Sequence, residues 1–251
     1  MLYPTRPRSA LRTAVVWEVV RAALEKRVAE LDQPVLDVVD TGGGTGNFAV
    51  PVAKLGHRVT VVDPSPDALF ALERRAAEAG VTDLVRAVQG DTQTLPELIA
   101  PGTVDAVLCH GVLEVVDDPA ESLGSLAGTL RPGGLVSLLA ANRNGAVLAR
   151  ALAGHFTEAR TVLSGTDGRW GEQDPMPRRF TGEELGRLAE GAGLRVESVH
   201  GVRVFADLVP GVLVDAEPGA LEALLKLEEA AAAQLAFHAV ATQLHLLATL
   251  A

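Results

Sequence analysis

The feature that most constrains the fold is an alternation. Five apolar, β-branched runs, at 34–40, 58–63, 84–89, 104–110 and 135–141, are separated by turn residues and stretches with helical spacing. Ser65 is placed to cap a helix through ALFALERRAAEA, and Gly80 to close it. A second helix is expected over 119–130, after which Arg131-Pro132-Gly133-Gly134 turns the chain. Strand and helix in strict succession predict a parallel sheet with helices on both faces.

Outside this core the pattern changes. Residues 8–31 have a helical stripe through Leu11, Val15, Val19, Ala22 and Ala23. Residues 141–180 show no clean period and read as a lid or insertion. Regularity returns with a helix from Thr181, where Thr181 and Glu184 have capping-box spacing. A strand over 194–205, a helix over roughly 217–236 and a closing strand over 245–250 complete the chain. The expected fold is α/β: a doubly wound, Rossmann-like sheet of about seven strands, mostly parallel, with an antiparallel C-terminal strand and a lid insertion. One domain is expected over 1–251: a helical cover at 1–33, a core at 34–140, the lid at 141–180 and a completing part at 181–251.

Charge limits the partners. With 22 Lys+Arg against 32 Asp+Glu, the net charge of -10 repels polyanions at long range, so a nucleic acid would have to meet a local basic patch. A single cysteine, Cys109, leaves no internal disulfide and no cysteine-rich metal site, and it reads as a small buried hydrophobe. No His/Asp/Glu set has metal-ligand spacing, so no metal is expected. No run is apolar enough to read as a signal peptide or membrane span, so the expected location is the cytoplasm.

The chemistry concentrates between the first strand and first helix, in Asp40-Thr41-Gly42-Gly43-Gly44-Thr45-Gly46. An open α/β sheet binds nucleotides there, at the carboxyl ends of its strands. Glycine lets the backbone approach a ligand closely. Asp63 ends the second strand and can accept hydrogen bonds from two ribose hydroxyls. A dinucleotide fingerprint, G-x-G-x-x-G, fails because its sixth position from Gly42 is Asn47. That disfavours a nicotinamide oxidoreductase. The pattern D-x-G-x-G-x-G is met in full.

That pattern resembles the first motif of the class I methyltransferases dependent on S-adenosylmethionine (SAM). Further pieces follow in the family's order: Asp91 after the third strand, His110-Gly111-Val112-Leu113-Glu114 after the fourth, and the Arg-Pro-Gly-Gly turn before the fifth. The resemblance implies SAM as cofactor, with Asp40, Gly42, Gly43, Gly44 and Gly46 around its methionyl end, Asp63 on the ribose and Asp91 on the adenine. Taken alone, Asp91 also reads as a turn residue. His110 reads either as a group touching the cofactor or acceptor or as a packed, hydrogen-bonded histidine.

Segments outside the core are similar to the bacterial tRNA 5-carboxymethoxyuridine methyltransferases. They are Leu11-Arg12-x-Ala14-x-x-Trp17, Asn142-x-x-Gly145, Gly201-Val202-Arg203-Val204-Phe205-x-Asp207, and Glu222 through Glu228. The resemblance implies that Arg12 reaches the cofactor and that Arg203 clamps an acceptor carboxylate. On general grounds Arg203 also reads as a surface arginine at a strand end. A carboxylate is already anionic at neutral pH, so it needs orientation rather than a general base. The lid region departs from the family: Arg160, Arg169, Arg178 and Arg179 are diluted by Asp167, Glu172 and Asp174. The methyl acceptor is therefore tRNA or a small molecule, and a protein that binds SAM without catalysis is a further reading. Trp17 reads as core packing, with a cover over the cofactor as the alternative, Trp170 as a base-stacking or lid-packing residue, and His200 and His245 as structural.

Overall fold

The computed structural model describes residues 7–216 and 218–251, with the side chains of Pro7–Ala10, Arg12, Asp215 and Ala216 outside the description. Along the chain run α1 (Pro7–Leu31), β1 (Asp37–Thr41), α2 (Ala49–Lys54), β2 (Arg58–Asp63), α3 (Pro66–Ala79), β3 (Val85–Gln89), α4 (Leu95–Leu98), β4 (Val104–His110), α5 (Pro119–Thr129) and β5 (Leu130–Ala141). There follow α6 (Arg143–Leu152), α7 (Phe156–Ser164), α8 (Gly182–Gly191), β6 (Leu194–Val202), α9 (Gly211–Ala216), α10 (Ala220–Ala232), α11 (Leu235–His238) and β7 (Gln243–Leu250). The seven strands form one sheet in the order β3-β2-β1-β4-β5-β7-β6, mostly parallel and antiparallel at its C-terminal strands. No described helix is long and apolar enough to cross a membrane.

Contacts divide the chain into two compact units. One comprises Val20–Leu138, Gly186–Glu197 and Leu246–Ala251. In it, β1 pairs in parallel with both β2 and β4, and β2 with β3. Val38 to Thr41 in β1 and Val104 to Cys109 in β4 are buried, as expected for central parallel strands covered on both faces. The helix after β2 starts where the sequence places it. Ser65 Oγ accepts the Ala68 N–H, Pro66 takes the first turn, and Gly80 ends the helix at φ 70°. Leu69, Leu72 and Ala76 form its buried stripe; full burial of each leucine contributes about 1.5–3 kcal/mol.

At the amino ends of these strands the charges are structural. Arg58 grips the Asp37 carboxylate at 2.7 and 3.0 Å. Arg131 meets the fully buried Asp105 at 2.6 Å, and Asp105 accepts the Asp37 N–H at 2.8 Å. The hydrogen bond from Arg58 is the main cause holding the Asp37 carboxyl below its usual range. This network pins the starts of β1 and β4, leaving the carboxyl ends for chemistry.

The other unit comprises residues up to Val19, Leu139–Leu185 and Ser198–His245. The stretch 141–180, which lacks a clean period in sequence, contains α6 and α7. Asn142 caps α6 by accepting the Asn144 N–H, and its amide group donates to the carbonyls of His238, Ala239 and Ala241. The stretch closes on itself: Phe180 N–H donates to Ala141 O and Arg143 N–H to Phe180 O. Arg150 lies over the Trp170 ring, 4.2 Å from its centroid. The capping box forms as expected, with Glu184 accepting from Thr181 N–H and Thr181 from Glu184 N–H. The sequence suggests one helix over 217–236; the structure has α10 and α11, parted by Ala233 and Gln234.

Candidate cofactor site

The loop after β1 is shaped by what its glycines lack. Gly46, at φ 80°, sits so close to Leu72 that an added Cβ would come within 2.3 Å of its Cδ1. A Cβ on Gly42, at φ 66°, would meet Val112 Cγ2 at 2.4 Å, and one on Gly43 the Asp40 carboxylate at 2.5 Å. Gly44 differs. It also has a left-handed φ of 54°, yet the nearest atom to an added Cβ is Asp63 Oδ2 at 3.9 Å, so the loop is open there.

Asp63 organises this bend from the end of β2. Its Oδ2 accepts the Gly44 N–H and its Oδ1 the Ser65 N–H, both at 2.9 Å. The carboxylate thus fixes the loop and the entry to α3 together, and each oxygen keeps lone-pair capacity for a ligand hydroxyl. Arg75, on α3, clamps the other side: its Nη1 donates to Thr45 O at 2.8 Å and to Asn47 Oδ1 at 2.9 Å. The sequence gives little sign of that clamp, because Arg75 lies on an ordinary charged helix face.

Asp40 is the last residue but one of β1 and is 2% exposed. Burial is the main cause raising its carboxyl to about 7; the Ala49 N–H opposes the shift and the Asp63 charge adds to it. Its Oδ2 is buried without a hydrogen bond among the described residues. A buried carboxylate oxygen in this state favours a cation or donor supplied by a ligand.

His110 ends β4. Its Nε2 is 2.8 Å from Ser137 Oγ, and its ring meets Phe48 edge to face at 4.5 Å. Burial lowers its pKa to about 3, so the imidazole is neutral near pH 7 and a poor proton acceptor. Cys109 beside it is buried, and burial raises its thiol strongly. Asp91 makes a turn: its Oδ1 accepts the N–H groups of Gln93 and Thr94 at 3.0 and 2.9 Å. The Thr94 bond is the main cause lowering its pKa.

One unit thus brings together Asp40, Gly42, Gly43, Gly44, Gly46, Asp63, Asp91 and His110. Arg12 and Arg203 belong to the other unit. Arg12 lies on α1, and its side chain is outside the described residues. Arg203 follows β6 with a left-handed φ of 58°. Its Nε and Nη2 reach Asp207 Oδ1 at 3.2 and 2.6 Å, and Nη1 is 3.5 Å from Gln243 Oε1.

A family profile described as "Methyltransferase domain" matches residues 39–138, the span that holds this loop and its acids. The chain is 32% identical over 200 residues to the tRNA 5-carboxymethoxyuridine methyltransferase of Escherichia coli, covering 80% of this chain and 74% of that one. The chain belongs to the class I SAM-dependent methyltransferases. It is also 32% identical over 201 residues to a ubiquinone biosynthesis O-methyltransferase of Xanthomonas axonopodis pv. citri, covering 79% of this chain and 76% of the relative. A crystal structure of geranyl diphosphate C-methyltransferase from Streptomyces coelicolor shares the fold, with a TM-score of 0.56 at 16% identity over 99% of this chain and 86% of that one. This methyltransferase takes SAM as its cofactor. The open face at Gly44 and the unsatisfied Asp40 oxygen fit a ligand that carries a cationic amino-acid end.

Proposed function

We propose that this methyltransferase esterifies a carboxylate, that of 5-carboxymethoxyuridine in tRNA, with Arg203 holding the acceptor. Bound SAM supplies an electrophilic methyl group on a sulfonium. Asp40, Gly42, Gly43, Gly44 and Gly46 hold its methionyl end, Asp63 takes the ribose hydroxyls, and Asp91 and His110 border the adenine and methyl ends. Arg12 on α1 is assigned the cofactor carboxylate. Arg203 orients the acceptor carboxylate through its guanidinium fork.

The observation that carries this reading is the Arg203 guanidinium. It follows β6 at a left-handed φ and pairs with Asp207, a carboxylate of its own chain, which supports its use as a holder of carboxylates. His110 agrees with it: a ring with a pKa near 3 does not deprotonate an acceptor at neutral pH, and a carboxylate needs no deprotonation. The E. coli relative acts on the same acceptor class by name. A second reading is a small-molecule hydroxyl acceptor, favoured by the Xanthomonas relative at equal identity. The lid also leaves a modest basic surface, because Arg179 is tied to the buried Asp174 at 2.6 Å.

Mass spectrometry of tRNA nucleosides from cells with and without the protein separates the two. Loss of the methyl ester and accumulation of the free carboxylate nucleoside are expected on deletion. An unchanged tRNA profile, with a missing methyl ether among small molecules, favours the second reading.

A further inference from the structure

The turn after β6 is held against its own backbone preference. Arg203 has a φ of 58°, a region that L residues with side chains rarely adopt. Such strain persists only where the surroundings enforce it. The three residues that follow Arg203 are bound by a single carboxylate on α10. Glu228 is 1% exposed, and its oxygens accept three consecutive backbone N–H groups. Val204 donates to Oε2 at 2.9 Å, and Phe205 and Ala206 to Oε1 at 2.8 and 2.6 Å.

An ionised carboxylate is unfavourable in a buried place unless its lone pairs are filled. All of Glu228's described hydrogen bonds go to this one turn. An apolar side chain would pack α10 as well, beside the buried cluster of Val204, Ala231 and Ala241. What the carboxylate adds is a fixed curvature at Val204–Ala206. That curvature sets where Arg203 leaves the backbone, and where Asp207 stands to hold the Nε edge of the guanidinium.

We infer that Glu228 is a positioning residue for acceptor recognition: by binding the three amides of Val204–Ala206 it fixes the place of the Arg203 guanidinium that receives the acceptor carboxylate. The inference rests on the proposed role of Arg203. Glu228 touches neither acceptor nor cofactor in this scheme; it acts through the backbone.

The test is a double-mutant cycle. Methyl transfer from labelled SAM to tRNA isolated from cells lacking the protein is measured for the wild type, Arg203→Ala, Glu228→Gln, Glu228→Asp and the Arg203→Ala/Glu228→Gln double variant. SAM affinity and thermal midpoint are measured alongside. Glu228→Gln replaces one acceptor oxygen with a donor facing an N–H. It should raise the acceptor KM on the order of 10-fold, the loss of a charge-assisted hydrogen bond, with SAM affinity unchanged. Glu228→Asp, which keeps the charge, should recover part of that loss. The double variant should be no worse than Arg203→Ala, because both changes remove one function.

Three results overturn the inference. If Glu228→Gln leaves the acceptor KM unchanged while Arg203→Ala is impaired, Glu228 is only structural and the Arg203 reading stands. If the two losses multiply in the double variant, Glu228 acts independently of Arg203. If the wild type transfers no methyl to tRNA, the acceptor reading fails and this inference fails with it. Should Glu228→Gln not fold, the same cycle built on Glu228→Asp decides by the same criterion.

Discussion

The loop at 42–46 and the turn at 201–207 both hold backbone in the left-handed region, by different means. In the loop the side chains are removed. Gly42, Gly44 and Gly46 take positive φ at little cost, and at Gly42 and Gly46 neighbours close in where a Cβ would have been. In the turn a long cationic side chain is kept at the strained position, and a carboxylate 25 residues later in the chain holds the backbone there. The difference teaches two ways of holding left-handed backbone, which the proposed function puts to two kinds of recognition. A loop that presents bare backbone takes its left-handed φ values from its own glycines, with Asp63 and Arg75 bracing it from outside. A turn that presents one charged group needs a dedicated distant partner.

The comparison can be broken most forcefully at the loop. Gly46→Ala places a methyl 2.3 Å from Leu72 Cδ1 in a backbone conformation that alanine avoids. It should destabilise the protein by about 2–4 kcal/mol, from strain plus overpacking, seen as a lower denaturant midpoint. Gly44→Ala has room and should lose only about 1–2 kcal/mol from strain, yet SAM affinity should fall sharply because the methyl stands on the open face. If Gly44→Ala binds SAM normally, the open face is not the cofactor face.

Asp63→Ala sharpens the account of how the loop is held. Calorimetry should show SAM affinity weakened by about 1.5–3 kcal/mol, as for a lost hydrogen-bonded charge. The melting point should fall as well, since the Gly44 and Ser65 N–H groups lose their acceptor. Unchanged affinity with a lowered melting point would make Asp63 a structural brace alone.

The smallest effect is one of pH and belongs to Asp40. Its folded carboxyl lies near 7 against an ordinary 3.8, so the folded state holds a proton the unfolded state has released. This group's contribution to stability therefore falls as pH rises from about 4 to 7 and stays low above. The groups bearing on it are Asp63, whose charge raises it, and the Ala49 N–H, which lowers it; buried Cys109 stays neutral nearby. A cationic ligand relieves the penalty. SAM should bind about 3- to 10-fold tighter at pH 8 than at pH 6, within the 1.4 kcal/mol of a tenfold change, and S-adenosylhomocysteine, without the sulfonium charge, should gain less. Equal pH dependence for the two ligands would place the sulfonium away from Asp40.

Much of the cofactor region is legible in sequence because its determinants are consecutive. The runs ending at Asp40 and Asp63, the glycine pattern and the Ser65 cap need no knowledge of tertiary contacts. The lid is less so. Helix α6 begins Arg-Asn-Gly, which reads as turn, and only the carbonyls of His238, Ala239 and Ala241, which receive the Asn142 amide, explain why a cap sits there. Arg75 stands on an ordinary charged helix face and Glu228 on the buried stripe of α10 with Leu224 and Ala231, and their partners lie 28 to 30 and 22 to 24 residues away. Spacing rules for helices and strands carry no information about such pairs. Asp91 is legible as either ligand or turn residue; the structure displays its turn, and the adenine role remains part of the proposal.

The central claim is methyl transfer to a carboxylate held by Arg203, and one measurement addresses it directly. Purified protein is incubated with methyl-labelled SAM at saturating concentration throughout and with tRNA from cells lacking it, between pH 6 and pH 8, and the labelled nucleosides are then exposed to mild alkali. The expected result is label on a uridine derivative that alkali releases, a rate nearly flat across that range because a carboxyl pKa near 4 is far below it, and a loss of about 10- to 100-fold in Arg203→Ala. Label that survives alkali, a rate that climbs with pH, or full activity in Arg203→Ala would contradict it.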